Sequence, residues 1–283
     1  MTAPTLYLVD ASLYVFRAWH SMPDEFHDAD GWPTNAVHGF ARFLLELLER
    51  ERPRHIAIAF DESLDSCFRN AIYPAYKANR DPAPPELRRQ FAWCKALCKA
   101  VGLVTLAHTD YEADDLIGTA VHVGRRDGFR SVIVSADKDL SQLLQADDEQ
   151  YDFAKAVRWK ADGVKARHGV HAQQIADYLA LTGDAVDNIP ASPASARNRR
   201  RSCWRISSRW MPCWRASTRC RSCACAARRA WQRACANNAS TRCCGASSPP
   251  SRWTRHCRRA ASHVVAATAR NWRRCRTGWA SGR

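Results

Sequence analysis

Tyr111-Glu112-Ala113-Asp114-Asp115-Leu116-Ile117-Gly118, then Ser131-Val132-Ile133-Val134-Ser135, then Asp137-Lys138-Asp139: this is the part of the chain that decides its fold. Thr109 or Asp110 is placed to N-cap a helix whose first turn carries Glu112, Asp114 and Asp115, where acids suit the positive end of the helix dipole. The β-branched run from Ser131 to Ser135 has the length and composition of a buried parallel strand. Asp137 and Asp139 then fall just past its carboxyl end, where open α/β sheets place their sites. Carboxylates gathered in one crevice repel each other unless cations lie among them. Ligands that are all oxygen select hard ions, Mg2+ or Mn2+, over zinc. Two such ions about 4 Å apart can clamp a phosphodiester for in-line hydrolysis. Taken singly, acids at a helix start are ordinary caps, and Asp-x-Asp after a strand is an ordinary turn. Their convergence is what points to metal.

Upstream, the same pattern appears twice more. Leu6 to Asp10 is a short apolar strand ending in Asp10, and His55 to Phe60 is another that leads to Asp61. Strand–helix units that each deliver an acid at one sheet edge are what an α/β nuclease site requires. Ala11 to His20 has helical spacing with Phe16 and Trp19 expected in the core. Thr34 is expected to N-cap an amphipathic helix running to about Arg50, with Val37, Phe40, Phe43, Leu44, Leu47 and Leu48 on its apolar face. Residues 62–89 are irregular and basic, with Arg69, Lys77, Arg80, Arg88 and Arg89 interleaved with Phe68, Tyr73 and Tyr76. Alternating cations and aromatics suit a single nucleic-acid strand, through phosphate neutralisation and base stacking. The alternative is a solvated connector.

Leu87 to Gly102 reads as a helix closed by a glycine, and Leu103 to Ala107 as a third strand. Beyond Asp139, Leu140 to Leu144 continues into a helix, Gln150 to Trp159 forms a small strand pair, and Arg167 to Val170 is a turn. Ile175 to Leu181 is helical. The following Thr182-Gly183-Asp184-Ala185-Val186-Asp187-Asn188-Ile189-Pro190 supplies two more acids, Asp184 and Asp187, which a helix or tight turn would face the same way.

The 283-residue chain carries a formal net charge of +15, which by itself suggests a nucleic-acid binder. That average hides a break. From Ala191 to Arg283 there is no Asp, Glu, Lys, Phe or Tyr, while the stretch holds 22 Arg, seven of the 11 Trp and ten of the 13 Cys. Residues 1–190 carry 21 basic and 28 acidic side chains, a net of −7, with ordinary globular composition. Only Cys67, Cys94 and Cys98 lie in this first part, so a disulfide framework is not expected and a cytoplasmic setting fits. No signal peptide or transmembrane run is read, and no protein partner is expected of what reads as a monomer. Cys220-x-x-Cys223 and Cys243-Cys244 in the second part could be read as zinc ligands.

The set Val9-Asp10, Thr34-Asn-Ala-Val-His-Gly-Phe40, Phe60-Asp61, Phe68-Arg69, Tyr73-Pro-Ala-Tyr-Lys-Ala-Asn-Arg80, Tyr111-Glu-Ala-Asp-Asp115, Asp137-Lys-Asp139 and Gly183-Asp-Ala-Val-Asp-Asn-Ile-Pro190 resembles the bacterial 5′ nuclease family. That family includes the 5′–3′ exonuclease domain of DNA polymerase I, standalone exonucleases and, more distantly, flap endonucleases. The resemblance spans residues 5–190 with the motifs in family order. It implies a PIN-like α/β fold with a central, mostly parallel sheet flanked by helices, cutting DNA at 5′ ends and single-stranded 5′ flaps with two metal ions. Asp10, Asp61, Glu112, Asp114 and Asp115 would hold or bridge the first ion, and Asp137, Asp139, Asp184 and Asp187 would serve the second. No side chain would act as the nucleophile. Residues 62–100 would form the helical arch and gateway, with Lys77 and Arg80 at the scissile phosphate and Arg69 and Tyr76 also contacting the nucleic acid.

Members of this family continue from Asp-Asn-Ile-Pro into Gly-Val-Pro-Gly-Val-Gly, opening a helix–hairpin–helix that grips duplex DNA. Written as GGC GTC CCC GGC GTC GGC and read after loss of the first base, that peptide becomes Ala-Ser-Pro-Ala-Ser-Ala, which is residues 191–196. Residues 191–283 therefore read as GC-rich DNA translated out of frame, and a folded domain is expected only from residues 1–190.

Overall fold

The computed structural model describes residues 3–63 and 67–191. The frame reading and the alternative zinc ligands beyond residue 191 lie outside the described residues.

Six strands form one sheet in the order β3-β2-β1-β4-β5-β6. These are β1 (Thr5–Asp10), β2 (His55–Ala59), β3 (Val104–Leu106), β4 (Arg130–Val134), β5 (Glu149–Asp152) and β6 (Val157–Lys160). All pairings are parallel except β5 with β6, the antiparallel edge hairpin expected over Gln150 to Trp159. Because side chains alternate across a strand, each central strand feeds two cores. Val9, Ile56, Ile58, Val132 and Val134 face one layer, and Leu6, Leu8, Ala57, Ala59 and Ile133 face the other.

The first layer is built from α1 (Ala11–Ser21), α2 (Asn35–Glu51) and α4 (Pro85–Ala100). Phe40, Phe43, Leu44 and Leu47 bury the apolar stripe of α2 as its spacing requires. Phe16 and Trp19 pack against the same core. Gly39 lets α1 and α2 approach closely: a Cβ there would stand 2.6 Å from the Cβ of Ala18. The second layer holds α5 (Ala113–Arg126), α6 (Ala161–His168) and α7 (Ile175–Thr182), through Ile117, Val121, Val164 and Ile175. Helix α6 was read only as the turn at its end. It buries a single side chain, Val164, so it shows no apolar periodicity.

Two expected caps are supplied otherwise. Thr34 does sit before α2, but its hydroxyl donates to the Phe26 carbonyl. The free amides of Ala36 and Val37 instead donate to Oε1 of Gln90, a fully buried side chain of α4, at 2.7 and 3.1 Å. At α5 the N-cap is Glu112 itself, not Thr109 or Asp110. The Asp110 carbonyl serves the short helix α3 (Phe68–Ile72), accepting from Phe68 N.

The 62–100 segment divides in two. α4 is packed into the core through Leu87, Phe91, Cys94 and Cys98, whereas residues 67–84 hold α3 and a run of turns around Tyr76 and Lys77. Among the described residues no helix is long and apolar enough to cross a membrane.

Candidate active site

β1 lies between β2 and β4, and their carboxyl ends are level: Asp10 pairs in register with Ala59, and Val9 with Val134. Asp10, Asp61 and Asp137 therefore emerge at one sheet edge, at the point where strand order reverses and α/β sheets open a crevice. α5 starts at the same edge. Its first backbone N–H, on Ala113, donates to Asp61 Oδ1 at 2.7 Å, which fixes Asp114 beside the strand-end acids.

Burial and mutual repulsion act on Asp10, Asp61, Asp114 and Asp139. Burial, together with the charges of Asp61 and Asp137, pushes the Asp10 carboxyl up to about 7. Burial raises Asp61 as well, against the Ala113 amide that favours its charged form. Asp114 is raised well above the carboxylate range by burial and then by Asp10, Asp137, Asp61 and Glu112. No described residue hydrogen-bonds or ion-pairs with the Asp114 carboxylate. Burial and the neighbouring Asp137 push Asp139 up to about 6, and its Oδ1 is buried with no hydrogen-bond partner.

The other acids are held by cations. Glu112 accepts from Arg69 at 2.8 Å, from the Tyr76 hydroxyl at 2.9 Å and from Lys77 at 2.5 Å. Burial alone would raise the Glu112 carboxyl, but Lys77 and Arg69 hold it below its ordinary value. Arg69 grips Asp115 in bidentate fashion, at 2.7 and 2.8 Å. Asp184 accepts from Lys138 at 2.7 Å, and Asp187 from Arg80 at 2.6 Å and Tyr76 at 3.2 Å. The turn carrying these cations is stitched to the 184–189 loop. Lys77 N donates to the Asp187 carbonyl, Asn79 Nδ2 to that of Ala185, Asn188 Nδ2 to that of Ala75, and the Tyr73 hydroxyl to that of Asn188. Lys77 and Asn188 both sit in the left-handed backbone region, at φ 54° and 56°.

The donor set fits hard divalent cations. It is carboxylate oxygen throughout, it contains in Asp114 an acid with no partner among the described residues, and Asp139 Oδ1 has no hydrogen bond, with Lys138 Nζ 3.7 Å away. As the side chains stand, no three such groups among the described residues enclose a single ion position. Arg69, Lys77, Arg80 and Lys138 neutralise Glu112, Asp115, Asp187 and Asp184 instead.

The model of the 5′–3′ exonuclease N-terminal resolvase-like domain matches residues 5–169. The chain belongs to the 5′–3′ exonuclease family. It is 39% identical over 195 residues to DNA polymerase I of Mycobacterium bovis, an alignment covering 67% of this chain but 22% of that protein. To a 5′–3′ exonuclease of Aquifex aeolicus it is 37% identical over 186 residues, covering 66% of this chain and 64% of the relative. In fold it is similar to a bacteriophage T5 flap endonuclease solved as a pseudo-enzyme–product complex with DNA and metal ions, with a TM-score of 0.66 at 17% identity over 93% of this chain and 99% of that one. Sequence reading missed several polar groups that shape the site of this 5′–3′ exonuclease family member. Ser12 receives the Asp61 N–H, Ser135 bonds Asp10, and Lys138 ties Asp184 to the turn after β4. Ser135 directly follows β4, and that position was a usable signal; the partner of Lys138, 46 residues away, was not.

Proposed function

We propose that this chain is a divalent-metal-dependent, structure-specific 5′ nuclease that hydrolyses phosphodiester bonds at 5′ ends and 5′ flaps of DNA. The observation that carries this is the convergence of Asp10, Asp61 and Asp137 from three strand ends on Asp114, whose carboxylate no described residue satisfies. Asp10, Asp61, Glu112, Asp114 and Asp115 would hold the first ion, and Asp137, Asp139, Asp184 and Asp187 the second. Two hard ions bound there, Mg2+ or Mn2+, would supply an activated water and charge neutralisation at the leaving oxygen.

The chain's own part is to place and release charge. Lys77 and Arg80 rest on Glu112 and Asp187, so they stand within a side chain's length of any phosphate seated over those acids. Neutralising the acids frees both cations for that phosphate. Arg69, in its bidentate grip on Asp115, orients that acid, and Tyr76 joins Glu112 to Asp187. The gateway for a single strand is residues 67–84, since α4 is committed to the core. The reading places the protein in the cytoplasm as a monomer acting on DNA.

Cleavage of a labelled 5′-flap DNA tests it, with Mg2+ against EDTA and with Asp137→Asn beside the wild type. Cutting that needs both metal and Asp137 supports the assignment; metal-independent cutting, or full activity of Asp137→Asn, refutes it. A second reading is favoured by the 22 arginines of residues 191–283: a catalytically impaired binder that adheres to DNA nonspecifically. Binding without cutting, collapsing steeply with added salt, would select it.

A further inference from the structure

The turn bearing Asp137 and Asp139 lies against the edge hairpin, and one side chain of that hairpin hydrogen-bonds its backbone. Gln150, on β5, is completely buried. Its Nε2 donates to two carbonyls at the entry of the turn, Ser135 O at 3.1 Å and Asp137 O at 2.6 Å. Its Oε1 accepts the Ser141 hydroxyl at 2.6 Å, and the Ser141 oxygen in turn accepts Trp159 Nε1 at 3.2 Å. Trp159 is the cross-strand partner of Gln150 on β6. On the far side, the Ser135 hydroxyl accepts Asp137 N at 3.0 Å and donates to Asp10 Oδ2 at 2.9 Å. Asp139 N donates to Asp137 Oδ1 at 2.9 Å, so the two acids of the turn are also tied to each other.

We propose that Gln150 is a positioning residue: its amide braces the turn carrying Asp137 and Asp139, and so sets the affinity of the ion site those acids form. This rests on the metal reading above. Gln150 cannot touch DNA or an ion, because no part of it reaches solvent. It acts through the backbone. Asp137 and Asp139 carry like charges and repel, and the short link between the end of β4 and the 3-10 helix Asp139–Leu143 would relax by letting them part. An amide whose N–H groups hold the carbonyls of Ser135 and Asp137, and whose Oε1 holds Ser141 beyond Asp139, opposes that movement, and Trp159 limits its rotation through Ser141. Outer partners of this kind, when removed, weaken metal binding by about 10- to 100-fold.

The test is titration of the full chain with Mn2+ alone, read by electron paramagnetic resonance as free against bound ion, beside thermal unfolding. Wild type should show two classes of site, and Asp139→Asn identifies the second by abolishing it. Gln150→Met, which keeps the volume but removes both donors, should weaken that class by about 10- to 100-fold and leave the first within about twofold. Ser141→Ala should weaken the same class severalfold. Gly39→Ala, which loosens the distant α1–α2 contact, serves as a variant of lowered stability with both classes unchanged. The proposal is overturned if folded Gln150→Met binds Mn2+ as wild type does, or if it loses both classes together. Should Gln150→Met not fold, Ser141→Ala decides, and unchanged binding by it overturns the proposal. A wild type that binds no Mn2+ overturns the metal reading itself, a result distinct from any of these.

Discussion

Asp61 Oδ1 accepts the backbone N–H of Ala113 at 2.7 Å, so an acid that ends one strand also fastens the helix that presents Asp114. Charge and hydrogen bonding can be separated at this position. Asp61→Asn keeps an acceptor for the Ala113 amide and removes a buried charge, so its melting temperature should equal or exceed that of wild type while flap cleavage is lost. Asp61→Ala should lose cleavage and also about 1 kcal/mol of stability, the usual cost of removing a helix cap. Paired melting and cleavage measurements check both; if Asp61→Asn melted well below Asp61→Ala, the capping role would be wrong.

Lys77 occupies Glu112 at 2.5 Å and competes with any cation for it. Lys77→Ala should therefore bind Mg2+ more tightly than wild type, by a few-fold, yet, on the role proposed for Lys77 at the phosphate, cleave more slowly, on the order of a hundredfold. Calorimetry of Mg2+ binding beside single-turnover cleavage would show the opposite movements. An unchanged rate would return residues 67–84 to a mere connector.

In the metal-free protein Asp10 is pushed up to about 7 and Asp139 to about 6, from an ordinary value of 3.8. Across that interval the folded state binds more protons than the unfolded one, so stability falls as pH rises from about 4 to about 7. Glu112 and Asp184, held below their ordinary values, work the other way and withdraw stability as the medium becomes more acid than about pH 4. Urea unfolding in EDTA should therefore give a midpoint that declines between pH 5 and 7, by direction set by Asp10 and Asp139, and Mg2+ should flatten the decline. A midpoint that rises over that interval in EDTA would contradict the crowding of these acids.

A methyl group on Gly39 would stand 2.6 Å from Ala18 Cβ and 3.0 Å from Met22 Cγ. Alanine's better helix propensity offers about 1 kcal/mol, but overpacking a tight contact costs about 1–3 kcal/mol. Gly39→Ala should be net destabilising in chemical denaturation, with metal affinity unaltered. A stabilised variant would mean that α1 and α2 can separate freely.

β1, β2 and β4 were legible because each is a short apolar run, and the acids Asp10, Asp61 and Asp137 because they come at or within three residues of the ends of those runs. The length of α2 was legible too, from Phe40, Phe43, Leu44 and Leu47. What closes its start was not: the acceptor for Ala36 and Val37 is Gln90, 54 and 53 residues on, and local sequence offered Thr34 in its place. The same separation hid the partners of the cations. The counter-ions of Arg69, Lys77 and Arg80, which are Glu112, Asp115 and Asp187, come from 35 to 107 residues later. Gln150, between Glu149 and Tyr151 on β5, gave no hint that its amide donates to the Asp137 carbonyl 13 residues earlier.

β1 sits at the centre of the sheet, yet its neighbours on the two sides come from residues 55–59 and 130–134, and the last acids lie at 184 and 187. The chain therefore leaves the ribosome with its first acid long before the others, and no nascent intermediate shorter than about 190 residues holds the complete set. On the proposed function, hydrolytic capacity would arrive only at the end of the domain's synthesis, after the surrounding sheet has closed. A stalled or cleaved product stopping within α7 would keep the six strands without the last two acids.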